Sequence, residues 1–173
     1  MDTRPFRDAL GQFPTGVTII TTVTAGGERL GMTISSFNSL SLDPPLVLVS
    51  IWRKANSFVA WQQAKRYAIN VLRENQEGLS KKFAYPKGEK WIGQTVLAGK
   101  TGLPLLPNAV IAFECEACDR HDGDDQEIFV GRVSIGAWAP SRRMRRPIFS
   151  ISCTDGEAPW ASTRSTTNST LLT

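Results

Sequence analysis

Apolar positions along the chain switch between two spacings. Phe6, Leu10 and Phe13 recur at helical intervals behind Thr3, a capping residue, and Pro5 near the start, and Pro14 ends the pattern. Residues 16–24 and 29–37 are rich in Val, Ile and Thr around the turn Ala25-Gly26-Gly27-Glu28, so they read as a β-hairpin. Residues 46–52, after Pro44-Pro45, form an unbroken apolar run and predict a strand buried on both faces. Helical spacing returns over 56–65 (Phe58, Val59, Trp61, Ala64) and over 74–84 (Leu79, Phe83), with an alternating strand at 66–72 between them. Residues 85–108 hold seven Gly or Pro and read mostly as loop. Two further strands are predicted at 109–118 and 127–138, and a short one near 147–152. About seven strands with hairpin connections and three short helices predict a mainly β (α+β) chain, an antiparallel barrel with helices packed outside.

Composition bounds this picture. The 173 residues are 41% hydrophobic and 21% charged, which suits one globular domain with a core of its own. That domain is expected to span residues 1–152. In 160–173, eight of the 14 residues are Ser or Thr, too few apolar groups to offset ordering entropy, so 153–173 is expected to be a disordered extension. No apolar run reaches the roughly 20 residues of a membrane helix, and the first ten residues carry four charges, which argues against a secretory signal. Three cysteines without a signal point to reduced thiols in a cytoplasm. The net charge of +4 equals the cluster Arg142, Arg143, Arg145 and Arg146, a local patch and not the broad basic face of a nucleic-acid binder. His121 is the single histidine, which excludes multi-histidine metal sites and leaves little room for a Ser-His-Asp triad; no metal is expected.

Four motifs invite a chemical reading. Gly99-Lys100-Thr101 resembles the end of a phosphate loop, but five residues separate it from Gly93 where four are required, so it reads as a Gly-rich surface loop. Cys115 and Cys118 lie on strand sequence without a second ligand pair, which favours a buried structural Cys115 over a metal or redox pair. Arg53-Lys54-Ala55-Asn56-Ser57 follows a strand and opens a helix. It is either an anion site built from helix N–H groups and nearby polar side chains, or an ordinary capped helix beside two solvated cations. Five hydroxyl residues fall within residues 33–41, which suits a wall against a flat ligand or, equally, a Ser/Thr-rich edge strand.

Together with segments such as Gly31-Met32-Thr33, Asn70-Val71-Leu72 and Gly102-Leu103-Pro104, in this order, these stretches resemble the short-chain flavin reductases over residues 5–149. The resemblance implies an FMN-binding, Greek-key-like split barrel. It places Thr33, Ile34, Ser35 and Ser36 along the isoalloxazine ring. Ser50, Ile51, Trp52, Lys54, Asn56 and Ser57 would follow the ribityl chain to the phosphate, and Phe83 would close over the ring. It also implies reduction of FMN or FAD by NADH or NADPH, transfer of reduced flavin to a separate monooxygenase, and a homodimer. Two departures stand out. Gln126 follows Gly123-Asp124-Asp125 where members carry a Gly-Asp-His, and the aromatic run ending in Gly-x-Tyr is replaced after Phe149 by Ser/Thr-rich sequence. A non-catalytic flavin-binding barrel is the alternative, and an RNA-binding barrel using Arg142 to Arg146 a distant third.

Overall fold

The computed structural model describes residues 4–86 and 88–138. The strand expected near 147–152, the arginines at 142–146, Cys153 and the 153–173 extension lie outside the described residues.

Seven strands form one antiparallel sheet: β1 (Thr18–Val23), β2 (Arg29–Ile34), β3 (Asn38–Leu42), β4 (Pro45–Trp52), β5 (Arg66–Val71), β8 (Ile111–Gly123) and β9 (Gln126–Trp138). Their order is β2-β1-β5-β8-β9-β4-β3, and β6 (Leu97–Ala98) pairs with β7 (Pro104–Leu105) in a two-residue ribbon. The outermost strands, β2 and β3, are neighbours in sequence, joined by residues 35–37. So short a link spans only roughly 3.5 Å per residue, so the two edges must approach and the sheet must curl. Among the described residues no strand ladder closes this seam. Instead, the Ser36 hydroxyl donates to the Ser50 carbonyl at 2.9 Å and accepts from the Ser50 N–H at 3.0 Å. Among the described residues the expected split barrel is thus an open sheet, with Ser36 bonding across its seam to Ser50.

Alternation sets the core. Ile20, Val47, Val49, Ile51, Tyr67, Ile69, Cys115 and Phe129 pack inside with Trp61 from α2 (Phe58–Gln63). Ile19, on the opposite face of β1, joins Val17, Leu72, Phe83 and Leu106 beneath α3 (Glu77–Ala84). The doubly buried strands are therefore β1 and β5. The 46–52 run, expected to be buried on both faces, instead alternates: Val47, Val49 and Ile51 point inward while Leu46, Leu48 and Ser50 are half-buried. Among the described residues no helix covers its outer face as α3 covers β1.

The helix expected over 56–65 is shorter because turns hold residues 52–58. The Ala55 N–H donates to the Trp52 carbonyl and the Phe58 N–H to the Ala55 carbonyl. The helix expected over 74–84 divides into a 3-10 turn, Glu74–Gln76, and α3. The helix α1 (Arg4–Gly11) has no buried residue. The 109–118 strand runs on to Gly123, so β8 and β9 make a hairpin of two 13-residue arms.

Candidate active site

A cleft of about 460 Å³ opens beside the barrel seam, between the end of β2 and the end of β4. Thr33, Ile34, Ser35 and Ser36 line one wall, Ser50, Ile51 and Trp52 the other, and Gln126 reaches in from the start of β9. The sequence order of these residues gives no hint of this proximity; the register does. Trp52 lies opposite Gln126 on β4 and β9, and Ser36 grips the main chain of Ser50. Trp52 is half exposed, at 50% of its surface. The lining is rich in small hydroxyls able to donate and accept, around one large aromatic. Among these residues none carries a charge, so the site suits a flat, polar, neutral ring more than an ion.

Val17, Met32 and Ser80 also line the cleft and have no signal in the sequence. Ser80 arrives because the Thr33 hydroxyl donates to its carbonyl at 2.7 Å, drawing α3 onto β2. Phe83 lies apart from the cleft. It is fully buried beneath α3, edge-on to Trp91 with ring centroids 5.0 Å apart. A Cβ on Gly31 would fall 2.5 Å from the Phe83 ring, so only glycine admits this packing.

Asn56 and Ser57 line a second cleft, of about 850 Å³, which continues along the same β2 wall at Arg29, Leu30 and Gly31. Its far side is Pro86 and residues 88–92, which are tied down. The Lys90 ammonium donates to the Phe83 carbonyl at 2.9 Å and to the Gly31 carbonyl at 3.2 Å, and Asn56 Nδ2 donates to the Pro86 carbonyl at 3.4 Å. Burial pushes the Lys90 pKa down. The indole N–H of Trp61 donates to the Ser57 hydroxyl at 3.2 Å, fixing that side chain while leaving its own proton to give. Lys54 is exposed on the turn between the two clefts.

Arg53 is not the solvated cation its sequence neighbourhood allows. It bonds Asp122 and Glu127 at 2.8 Å each and the Asp124 carbonyl at 2.9 Å, clamping the hairpin to β4. Buried Glu127 also accepts from Gln62 and Arg120. A hollow of about 960 Å³ lies under this hairpin; Arg53, Arg120, Asp122 and Glu127 pair along it, and it holds none of the expected site residues.

Gly99-Lys100-Thr101 does cradle an anion, and the anion is the chain's own. The N–H groups of Lys100 and Thr101 donate to the Glu114 carboxylate at 2.9 Å each, and the Thr101 hydroxyl donates to it as well. Glu114 is 2% exposed. A carboxylate inside the apolar run Ile111-Ala112-Phe113-Glu114-Cys115 is a signal that sequence alone could have used. Cys115 is buried and Cys118 exposed, as expected. Burial first, then the Cys118 and Glu114 charges, push the Cys115 thiol up to about 12.

A barrel split at a seam, with a hydroxyl-lined cleft in the split, matches known proteins. Residues 10–145 fit the family model described as "Flavin reductase like domain", and the chain belongs to that family. It is 40% identical over 132 residues to "FMN reductase (NADH) SmoA" of Agrobacterium fabrum, covering 76% of this chain and 75% of that one. It is 34% identical to "Flavin-dependent monooxygenase, reductase subunit HsaB" of Mycobacterium tuberculosis, covering 86% and 79%. The solved structure of the "NADH:FAD oxidoreductase SgcE6" of Streptomyces globisporus, in complex with NAD and FAD fragments, superposes with a TM-score of 0.80 at 31% identity. It covers 92% of this chain and 95% of that one. The chain spans only 43% and 58% of the length of two longer relatives from Rhizobium meliloti.

Proposed function

We propose that the protein is an NAD(P)H-dependent flavin reductase that supplies reduced FMN or FAD to a separate monooxygenase. One observation carries this reading. Seven of the residues expected along a flavin, Thr33 to Ser36 and Ser50 to Trp52, come together on one cleft at the barrel seam with Gln126. The fit holds chemically. Small hydroxyls leave room for a flat ring and supply donors to its polar edge, while Trp52 gives an apolar surface beside it. Asn56 and Ser57, with Lys54 nearby, would hold the phosphate at the mouth of the second cleft.

A flavin held there would supply the redox chemistry, hydride transfer from a reduced nicotinamide. The chain's own task is to position both rings and exclude water. Hydroxyl and backbone N–H donors in the cleft would favour a ring that carries negative charge. Gln126 offers an amide where a histidine is usual, so it orients by hydrogen bonding and carries no proton between partners. Phe83 acts from beneath, by seating β2 through Gly31, and not as a lid.

The names of SmoA, SgcE6 and HsaB support nicotinamide-driven flavin reduction and a monooxygenase partner. The apolar side chains exposed on and after α1, Phe6, Leu10 and Phe13, support a homodimer that covers them. Free thiols at Cys115 and Cys118 support a cytoplasmic setting. In this reading residues 1–152 form the flavin domain and 153–173 an extension outside it.

The test is NADH oxidation with added FMN or FAD. Turnover with free flavin is expected. Tight flavin binding without turnover would favour the non-catalytic alternative, for which Gln126 and the altered sequence after Phe149 speak.

A further inference from the structure

Gln126 stands where the sheet is least supported. It is the last rung of the β4–β9 ladder, opposite Trp52, and the last rung of the β8–β9 ladder, opposite Gly123. Just before it the chain turns at Asp124-Asp125, with Asp124 at φ 60°, a left-handed conformation that few residues with a side chain adopt. From Cys118 to Gly123 the other side of β8 pairs with no strand among the described residues. Strand ends with so few neighbours open most readily. Arg53, the residue after Trp52, counters this. We propose that Arg53 is a positioning residue for hydride transfer, holding the hairpin tip so that the Gln126 amide is fixed against the nicotinamide of the donor; the inference rests on the flavin reading above.

The contacts of Arg53 bracket Gln126. Its backbone N–H donates to the Asp125 carbonyl and its Nε to the Asp124 carbonyl, at 2.9 Å each. Nη2 donates to Asp122 Oδ1 and Nη1 to Glu127 Oε2, at 2.8 Å each. Asp122 Oδ1 also accepts from the Asp124 N–H at 3.1 Å, so the turn and its acid are held as one unit. Helix α2 backs the clamp: the guanidinium lies 5.8 Å from the centroid of the Phe58 ring, and Gln62 donates to Glu127 at 3.0 Å. Joining the strands does not need this much, since seven register pairs already run between β4 and β9. What those pairs leave loose is the tip beyond Trp52, and that is the part Arg53 grips. Arg53 does not itself line the seam cleft, whereas Gln126 does, so the arginine acts through Gln126 and touches neither ring. The opposite wall, Thr33 to Ser36, is anchored elsewhere, by Ser80 and Ser50. Losing the clamp should therefore disturb the donor's side of the cleft and spare the flavin's.

A double-mutant cycle tests this, read by the KM for NADH or NADPH (whichever the natural chain oxidises faster) and by flavin affinity in fluorescence titration. Gln126→Ala is expected to raise that KM about fivefold, the worth of one neutral hydrogen bond, and Arg53→Ala to raise it nearly as much. Flavin affinity should stay within about twofold in both. Arg53→Ala/Gln126→Ala should be no worse than about fivefold, because no amide is left to position. A double variant that shows the product of the two effects, about 25-fold, would overturn the proposal. So would a fall in flavin affinity that matches the rise in KM, since the arginine would then serve the phosphate end. Should Arg53→Ala not fold, Arg53→Lys decides in its place. A lysine can hold one carboxylate but cannot span two carboxylates and a carbonyl, so it should raise the KM about threefold alone and leave it unchanged in the Gln126→Ala background. A natural KM in Arg53→Lys, or the same rise in both backgrounds, would overturn the proposal as well. If the natural chain neither binds flavin nor oxidises the nicotinamide with it, the flavin reading itself fails before any variant is compared.

Discussion

Two loops that the sequence offers as anion sites differ in the structure: one is filled by a side chain of the chain itself, and the other lines a cleft. At Gly99–Thr101 two backbone N–H groups and a hydroxyl close on the carboxylate of Glu114. A Cβ on Gly99 would lie 2.6 Å from that carboxylate, so the loop has no room for anything else. At Asn56–Ser57 the donors face a cleft of about 850 Å³. The loop whose sequence looks more like a phosphate binder is therefore the one that is filled from within. A donor-rich motif identifies a place for an anion, and only the rest of the fold decides whether a side chain or a ligand occupies it.

The comparison breaks most easily at Glu114. Glu114→Ala leaves three donors facing a dry gap, and urea unfolding should register a loss of about 3 kcal/mol or more. Flavin affinity of the folded fraction should stay within about twofold, because Glu114 serves the fold and not the cleft. The open side breaks through affinity. Ser57→Ala combined with Lys54→Ala should weaken flavin binding at least about tenfold in equilibrium titration, while Lys100→Ala leaves it nearly unchanged, since its backbone N–H remains. The reverse pattern would place the ligand at the closed loop.

A third test uses alkali. Below pH 9 the Cys115 thiol is protonated in folded and unfolded chains alike. Its folded pKa is pushed up to about 12 from 9.0, so between these values the unfolded chain gives up the proton first. Stability should fall as pH rises through that window, by at most about 1.4 kcal/mol per pH unit for this group. Cys115→Ala should remove this share of the slope in denaturant midpoints measured from pH 8 to 11. The smallest effect is expected at Gln126. Gln126→His should change the rate of flavin reduction less than about threefold at neutral pH, and should add a titration near pH 6.5 that the natural chain lacks. A large gain in rate would mean that the amide is an impaired substitute.

The strands were legible where side chains alternate or cluster by type, as in residues 18–23, 66–71 and 126–138. The 46–52 run misled, because an apolar sequence does not reveal that α3 covers β1 and leaves β4 uncovered. The hydroxyl wall at 33–36 and the turn at 54–57 were legible as chemistry, since Ser, Thr, Asn and Lys in such density ask for a reason. Ser80, Lys90 and the burial of Phe83 were not. Each depends on a pairing across 47, 59 or 52 residues of chain, between β2 and either α3 or the loop after it, which no local pattern encodes.

The long hairpin carries one more consequence. β8 pairs with β5 only as far as Glu116, so from Cys118 to Gly123 one side of its backbone has no neighbouring strand among the described residues. Such a bare edge is a template for another chain to add itself. Asp119, Arg120, His121 and Asp122 are all exposed along it, and any chain pairing there would have to desolvate them. Polar sequence in this arm thus guards solubility. Changing Arg120 and Asp122 to valine would expose a sticky ribbon and also remove two partners of the Arg53–Glu127 clamp, so colloidal stability and the seating of the hairpin on β4 would fall together.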